Sequence, residues 1–148
     1  MKNRTLPPTY FMLTLAVMVA LHCLWPVYSY WTFPVSLLGL VPLAIGIGLN
    51  LAADSLFKRH GTTVKPFEEP SSLVTAFPFS ISRNPMYLGM VIILIGVALL
   101  LGTVSPLIPA IVLPVVIDRR FVRMEERMLA ARFGEQWEQY RLQVRRWI

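Results

Sequence analysis

Long apolar runs, separated by short polar breaks, make up most of this chain. Four segments are almost free of charged residues: 10–28, 34–56, 86–101 and 103–117. About 20 apolar residues suffice for a helix that crosses a bilayer, so the pattern predicts four transmembrane helices. The longer break at residues 57–85 is predicted to be a cytoplasmic loop, and residues 118–148 a cytoplasmic helical tail. The expected fold is a single all-α, polytopic membrane domain over residues 1–148.

Prolines and glycines refine the predicted helices. The Pro-Pro pair at residues 7–8 is expected to delay the first helix until about residue 9. In the second helix, Gly39, Gly46 and Gly48 lack side chains, and small residues allow membrane helices to approach closely. These glycines are therefore predicted to face another helix.

The charges agree with a membrane location and orient the chain. Only 15% of the residues are charged and 55% are hydrophobic, whereas soluble domains carry about 25% charged residues. All 14 Lys and Arg residues lie in the N-terminus, the central loop or the tail, which the positive-inside rule places in the cytoplasm. Both termini and the central loop are therefore expected to lie on the cytoplasmic side of the membrane. The net charge of +6 follows from this topology, and no nucleic-acid partner is expected.

The residue types present argue against several kinds of chemistry. His22 and His60 lie far apart and Cys23 is the single cysteine, so no metal site is predicted. Both Cys23 and His22 lie in an apolar run, where Cys23 is expected to pack and His22 to make a polar contact within the bundle. Asp54 is expected to pair with Lys58, four residues along the same helix, rather than to bind a ligand.

The loop and the tail contain apolar residues that a free linker does not need. Residues 73–79 read Leu-Val-Thr-Ala-Phe-Pro-Phe and are expected to pack against the bundle or to line a cavity. A helix end is predicted at the Phe-Gly pair 133–134, followed by a second helix from Glu135 towards residue 147. One face of that helix is apolar: Trp137, Tyr140, Val144 and Trp147. The face either lies on the membrane or covers a site.

A polar stretch lies directly before the third apolar run. Residues 82–89 read Ser-Arg-Asn-Pro-Met-Tyr-Leu-Gly. Because polar groups at membrane depth cost free energy, such a stretch indicates a site that binds a ligand or substrate. Arg83, Asn84 and Tyr87 can donate hydrogen bonds, and the glutamates at residues 125–126 can supply carboxylates. Such a set suits a ligand that has a cationic amino group, a carboxylate and an aromatic base.

Together, these segments resemble a known family of membrane enzymes. The motif at 82–89, combined with Leu-Val-Thr at 73–75, Glu-Glu at 125–126 and Phe-Gly-Glu at 133–135, resembles the isoprenylcysteine carboxyl methyltransferases, which belong with the phospholipid methyltransferases. The resemblance extends over about residues 58–148. It implies S-adenosylmethionine as the methyl donor at the cytoplasmic face, and a lipophilic or lipidated acceptor that enters from the bilayer.

The resemblance also implies roles for individual residues. It assigns to the cofactor site Leu73, Val74, Phe79, Asn84, Pro85, Met86, Tyr87 and Glu125. The predicted catalytic residues are Arg83, Glu126 and Tyr140. The last two are the candidate general bases for an amine acceptor. The resemblance implies that the acceptor-binding arginine of the family's eukaryotic members is replaced here by Phe121, so Arg120 or Arg123 is expected to bind the acceptor instead.

The sequence leaves several functions open. A methyltransferase with a carboxylate or thiol acceptor is favoured, because such a nucleophile needs no general base. A phospholipid-amine N-methyltransferase is the alternative within the same class. A non-catalytic membrane protein that retains the fold is a further alternative, supported by Phe77, which stands where the family has glycine. A transporter is disfavoured, because the centres of the predicted spans carry no charge. The sequence makes no prediction of the oligomeric state.

Overall fold

The computed structural model describes residues 6–61 and 70–148, which are helical over most of their length. The helices are α1 (Pro7–Leu24), α2 (Leu40–Arg59), α3 (Pro85–Leu101), α4 (Leu107–Ile117), α5 (Arg123–Phe133) and α6 (Glu135–Gln143). A short 3₁₀ helix, Val35–Gly39, leads into α2, and a π-helical turn, Asp118–Val122, joins α4 to α5. The predicted all-helical fold is confirmed, while residues 62–69 of the predicted loop lie outside the described residues.

Two stretches are long and apolar enough to cross a membrane: Pro7–Leu24 and Val35–Arg59. Helix α3 is apolar but shorter. Large apolar side chains are exposed on α1, α2 and α4, among them Met12, Leu13, Ile45, Leu51 and Ile111. Water penalises such a surface, whereas lipid tails accommodate it. The four spans and the cytoplasmic tail stay predictions.

The observed helix ends correct three predictions made near prolines. Helix α1 begins at Pro7 rather than at residue 9, because the first-turn N–H groups of a helix need no intrahelical partner and proline is tolerated there. It ends at Leu24, since Trp25 precedes Pro26 and the residue before a proline disfavours helical geometry. Helix α4 begins at Leu107, later than the sequence predicts.

The two uncharged turns meet at one end of the bundle. The amide of Tyr30 donates to the carbonyl of Gly102 at 3.0 Å, and Gly102 ends α3 with a φ of +68° that glycine adopts without strain. His22 Nδ1 lies 2.9 Å from Thr103 Oγ1, so the predicted polar contact of His22 is confirmed. Cys23 is exposed on α1, and its predicted packing is wrong because it lies on the outer face of the helix.

Helices α2 and α3 approach each other through facing glycines. A Cβ atom placed on Gly46 would lie 2.6 Å from the carbonyl oxygen of Gly89, and one on Gly39 would lie 2.5 Å from that of Gly96. The predicted close approach at Gly39 and Gly46 is confirmed. It is wrong for Gly48, where a Cβ atom would meet nothing within 4 Å. Because Gly89 belongs to the polar motif, this packing sets the distance between that motif and α2.

Two buried clusters hold the described helices together. The first joins α1, α3 and α4 and includes Met18, Leu94, Leu113, Ile117 and Phe121. The second joins α2, the 70–84 segment and α6, and consists of Ala53, Val74, Phe79, Trp137, Tyr140 and Val144. Helix α6 ends at Gln143, short of the predicted extent, and Trp147 packs against the first cluster. The apolar face of the tail is therefore packed inside the protein.

The facing glycines generate a stability prediction. Gly46→Ala is expected to destabilise the protein by roughly 1–3 kcal/mol, because the new methyl group collides with the backbone of α3. Thermal unfolding of the detergent-purified protein measures the change. Gly48→Ala is the matched control on the same helix and is expected to be neutral or slightly stabilising, since alanine favours helix over glycine. Equal unfolding temperatures for the two variants would contradict the packing described here.

Candidate active site

A cavity of about 330 Å³ lies between the first turn of α1, the 70–84 segment and helices α2, α3, α5 and α6. This volume falls within the roughly 300–1,000 Å³ of small-molecule sites. All residues predicted for the cofactor site line it: Leu73, Val74, Phe79, Asn84, Pro85, Met86, Tyr87 and Glu125. Their ligand roles stay predictions, but the fold brings all of them to one cavity.

The N-terminus of α3 holds the polar motif in place. Pro85 is the first residue of α3, and the carbonyl of Asn84 accepts a hydrogen bond from the amide of Leu88 at 2.9 Å. The Asn84 amide donates to Ser82 Oγ at 3.1 Å, and its side-chain Nδ2 donates to the carbonyl of Arg146 at 3.1 Å. Asn84 is therefore held at both its backbone and its side chain, and the helix presents it to the cavity.

A network of charged side chains joins this motif to the tail. Arg83 donates from Nε and Nη2 to Glu126 Oε1, at 3.1 and 2.8 Å, and Arg146 Nη2 donates to Glu126 Oε2 at 2.5 Å. Arg83 Nη1 also donates to the carbonyls of Arg141 and Val144, at 3.0 and 2.9 Å. Because Nε, Nη1 and Nη2 of Arg83 are all engaged, this arginine serves as a clamp between the motif and the tail.

Glu126 lies outside the cavity lining, and its carboxylate is fully occupied by the two arginines. Burial raises the pKa of Glu126, but the hydrogen bonds from Arg146 and Arg83 outweigh this effect and leave its pKa below the usual value. A carboxylate held in this way is a poor general base. The predicted catalytic role of Glu126 therefore finds no support in the geometry.

Tyr140 lines the cavity, but its hydroxyl donates to the carbonyl of Phe79 at 2.7 Å. Burial raises its pKa, although the positive charge of Arg83 acts in the opposite direction. A phenol with a raised pKa stays protonated at neutral pH. Tyr140 therefore braces the Phe79 backbone at the cavity wall.

Glu125 differs from its neighbour, because it lines the cavity and pairs with no Arg or Lys in the part of the chain that the structure describes. Tyr87 Oη donates to Glu125 Oε1 at 2.6 Å. Burial raises the pKa of Glu125, and the hydrogen bond from Tyr87 lowers it only in part. An uncompensated carboxyl group in an apolar cavity favours a cation as its partner.

The predicted acceptor-binding arginines lie away from the cavity. Arg120 Nη1 is 3.3 Å from the hydroxyl of Tyr10, and Arg123 Nε pairs with Asp118 Oδ2 at 2.9 Å. Neither lines the cavity. Phe121, which replaces the arginine of the family, is buried in the first cluster. The structure thus separates both arginines from the predicted cofactor residues.

Several lining residues were not predicted from the sequence. Asp54 both pairs with Lys58, at 2.6 Å, and lines the cavity, so the predicted pairing is confirmed without excluding ligand contact. The hydroxyl of Ser72 is buried at the cavity and has no hydrogen-bond partner among residues 6–61 and 70–148. Other unpredicted lining residues are Pro7, Pro8, Phe57, Met90, Met128, Leu129 and Trp137. Met90 and Leu129 follow predicted site residues by one helical turn, a spacing that could have revealed them.

Comparison with known proteins identifies the class of this helical membrane fold. The family model of phospholipid methyltransferases matches residues 34–136. The chain belongs to this family, which includes the isoprenylcysteine carboxyl methyltransferase-like proteins. An uncharacterized protein of Haemophilus influenzae is 33% identical over 63 residues, which cover 43% of this chain and all of that protein. No solved structure matches the chain.

The charged network generates a pH-dependent prediction. Glu126→Gln is expected to destabilise the protein by roughly 3 kcal/mol at neutral pH, because it leaves buried Arg83 without its counter-charge. Since the pKa of Glu126 is lowered on folding, this stabilisation is present above the pKa of an unfolded glutamate, about 4.3. It is lost as the pH falls through the folded pKa. Denaturant unfolding at several pH values measures the free energy of unfolding of both proteins, and the difference between them should shrink as the pH falls.

Glu138→Gln is the matched control for this prediction. Glu138 pairs with Arg141 at 2.7 Å, but about half of each side chain is exposed. An exposed pair contributes about 1 kcal/mol or less. If both variants lost the same small amount of stability at neutral pH, the Glu126 network would stabilise the fold no more than an exposed ion pair, and the prediction would be wrong.

Proposed function

We propose that the protein is an integral membrane methyltransferase that uses S-adenosylmethionine and acts at the cytoplasmic face on a lipophilic acceptor. The observation that carries this proposal is Glu125, a largely buried carboxyl group that lines the cavity without a cationic partner in the described chain. The proposal includes four spans within a single domain, in the inner membrane of a prokaryote, with both termini in the cytoplasm. The charge pattern supports this orientation.

The chemistry of the lining residues fits this donor. The Glu125 carboxylate suits the ammonium of an amino acid group, and the unpaired Ser72 hydroxyl offers one more polar contact. The remaining walls, with Phe79, Met86 and Trp137 among them, are mostly apolar and suit an adenine ring and a sulfonium. When bound, S-adenosylmethionine supplies an electrophilic methyl group.

The protein's own contribution is binding, orientation and the exclusion of water. Tyr87 holds the Glu125 carboxyl group through its hydroxyl, so that the cationic end of the donor meets a fixed partner. Tyr140 and Trp137 close the cavity from the tail side. Transfer of a methyl group needs an in-line approach of the nucleophile, and most of the acceleration comes from proximity and orientation in a dry site.

The residues that line the cavity also indicate which kind of methyl acceptor fits the site. Arg83 is the single arginine in the described lining, and its nitrogens are engaged by Glu126 and the tail carbonyls. A carboxylate acceptor would therefore meet no unpaired arginine there, whereas a thiol needs none. A phospholipid amine is the second candidate, since Asp54, the acidic residue of the described lining that is not assigned to the donor, suits a cationic headgroup. Labelled methyl transfer to phosphatidylethanolamine, compared with a lipidated thiol, distinguishes the two acceptors.

Calorimetric binding of S-adenosylmethionine to the detergent-purified protein tests the proposal. Saturable binding is expected for the wild type, and Glu125→Gln is expected to weaken it by at least about tenfold, because a charged hydrogen bond is lost. Since burial raises the pKa of Glu125, its ionised form costs stability in the ligand-free protein. The variant is therefore expected to be at least as stable as the wild type, so that weaker binding does not reflect unfolding.

Glu138→Gln serves as the control, because Glu138 pairs with Arg141 on α6 and does not line the cavity, so this variant should bind as the wild type does. Absence of binding to folded wild type in added lipid would refute the proposal. The retained fold would then support the non-catalytic alternative.

A further inference from the structure

A second concave surface lies outside the cavity, at the junction of α4, the π-helical turn and the tail. We call it the arginine groove. Its volume is about 400 Å³, and its lining shares no residue with the cavity. The groove is lined by Pro114, Val115, Asp118, Arg119, Arg123, Arg146 and Trp147. Three guanidinium groups thus face one carboxylate, so the groove carries a net positive charge.

The single carboxylate holds two of these arginines in place. Asp118 Oδ2 accepts from Arg123 Nε at 2.9 Å, and Asp118 Oδ1 from Arg146 Nη1 at 3.3 Å. Arg123 uses only its Nε in this pair, and its terminal nitrogens make no hydrogen bond to residues 6–61 or 70–148. Arg119 makes no hydrogen bond or ion pair within the described chain. The groove therefore presents positioned N–H donors that match a phosphate.

The apolar surface next to the groove favours a lipid over a free phosphate. Large side chains are exposed along the outer face of α4: Ile108, Ile111, Val112 and Val115. Val115 also lines the groove, so this apolar stripe leads directly to the arginines. Trp147 lines the groove as well, and tryptophan is enriched at the headgroup level of membranes.

We propose that the arginine groove binds an anionic phospholipid, with the phosphate against Arg119 and Arg123 and the acyl chains along the outer face of α4. Basic pockets beside membrane helices on the cytoplasmic side suit such headgroups. The apolar stripe and the positive charge together match the two ends of one lipid molecule. This inference needs the membrane location but not methyl transfer, because the groove and the cavity are separate.

Native mass spectrometry of the full, delipidated protein tests the proposal with two probes that share the same acyl chains, phosphatidylglycerol and phosphatidylcholine. The wild type is expected to retain phosphatidylglycerol preferentially. Arg119→Gln with Arg123→Gln is expected to weaken that binding by about tenfold or more. Arg59→Gln with Arg132→Gln removes the same charge outside the groove and is expected to leave the binding unchanged.

Three outcomes would overturn the proposal. Equal affinity of the wild type for the two lipids would show that the groove does not select an anionic headgroup. Equal losses in the two double variants would show a general surface-charge effect. Displacement of the lipid by an equal concentration of glycerol phosphate would show that the acyl chains contribute nothing.

Arg119→Gln alone is the second variant, for use if the double change unfolds the protein. Arg119 makes no hydrogen bond or ion pair within the described chain, so this variant should fold, and it should still weaken lipid binding.

Discussion

The structure of the site depends on the burial of Glu126 between Arg83 and Arg146. Arg83 and Glu126 are largely shielded from solvent, whereas Arg146 is partly exposed. Charges that leave water are costly, and these are stabilised by their mutual hydrogen bonds. Further hydrogen bonds from Arg83 and Asn84 to carbonyls of α6 and of the residues after it tie the polar motif before α3 to the tail, which lies far from the motif in the sequence. The clamp adds charged contacts to the hydrogen bonds that Ser82, Asn84 and the backbone amide of Arg83 donate to tail carbonyls. Together these contacts hold the tail where Trp137 and Tyr140 line the cavity.

The two adjacent glutamates of α5 have different surroundings and therefore different roles. Successive residues of an α-helix point about 100° apart, so Glu125 and Glu126 face different surroundings. Glu126 meets two guanidinium groups, and its pKa falls despite burial, because their hydrogen bonds outweigh it. Glu125 meets a phenol and an apolar cavity, and burial raises its pKa. The first carboxylate holds the fold together, and the second remains available to a cationic ligand.

Much of this arrangement could be predicted from the sequence. The features that could not be predicted each have a physical reason. The long apolar runs predicted the helices, and the resemblance to a family of membrane methyltransferases implied eight of the residues that line the cavity. The partner of Glu126 could not be predicted, because ion pairs between distant segments depend on tertiary packing. Gly48 resembles Gly46 in sequence but lies on another face of α2. Helix α1 starts at Pro7, earlier than predicted, because proline disfavours the interior of a helix but is tolerated in its first turn.

The most direct test of the claim that Glu125 meets the cationic ligand while Glu126 holds the fold is the number of protons released when S-adenosylmethionine binds. Calorimetry in buffers of different ionisation enthalpy, over a pH series from about 5 to 7, keeps the donor's α-amino group largely protonated. A cation that pairs with Glu125 lowers the raised pKa of this carboxyl group, so binding should release protons from the wild type and none from Glu125→Gln. Equal proton release in the two proteins would contradict the account, because Glu125 would then not be the group that meets the donor.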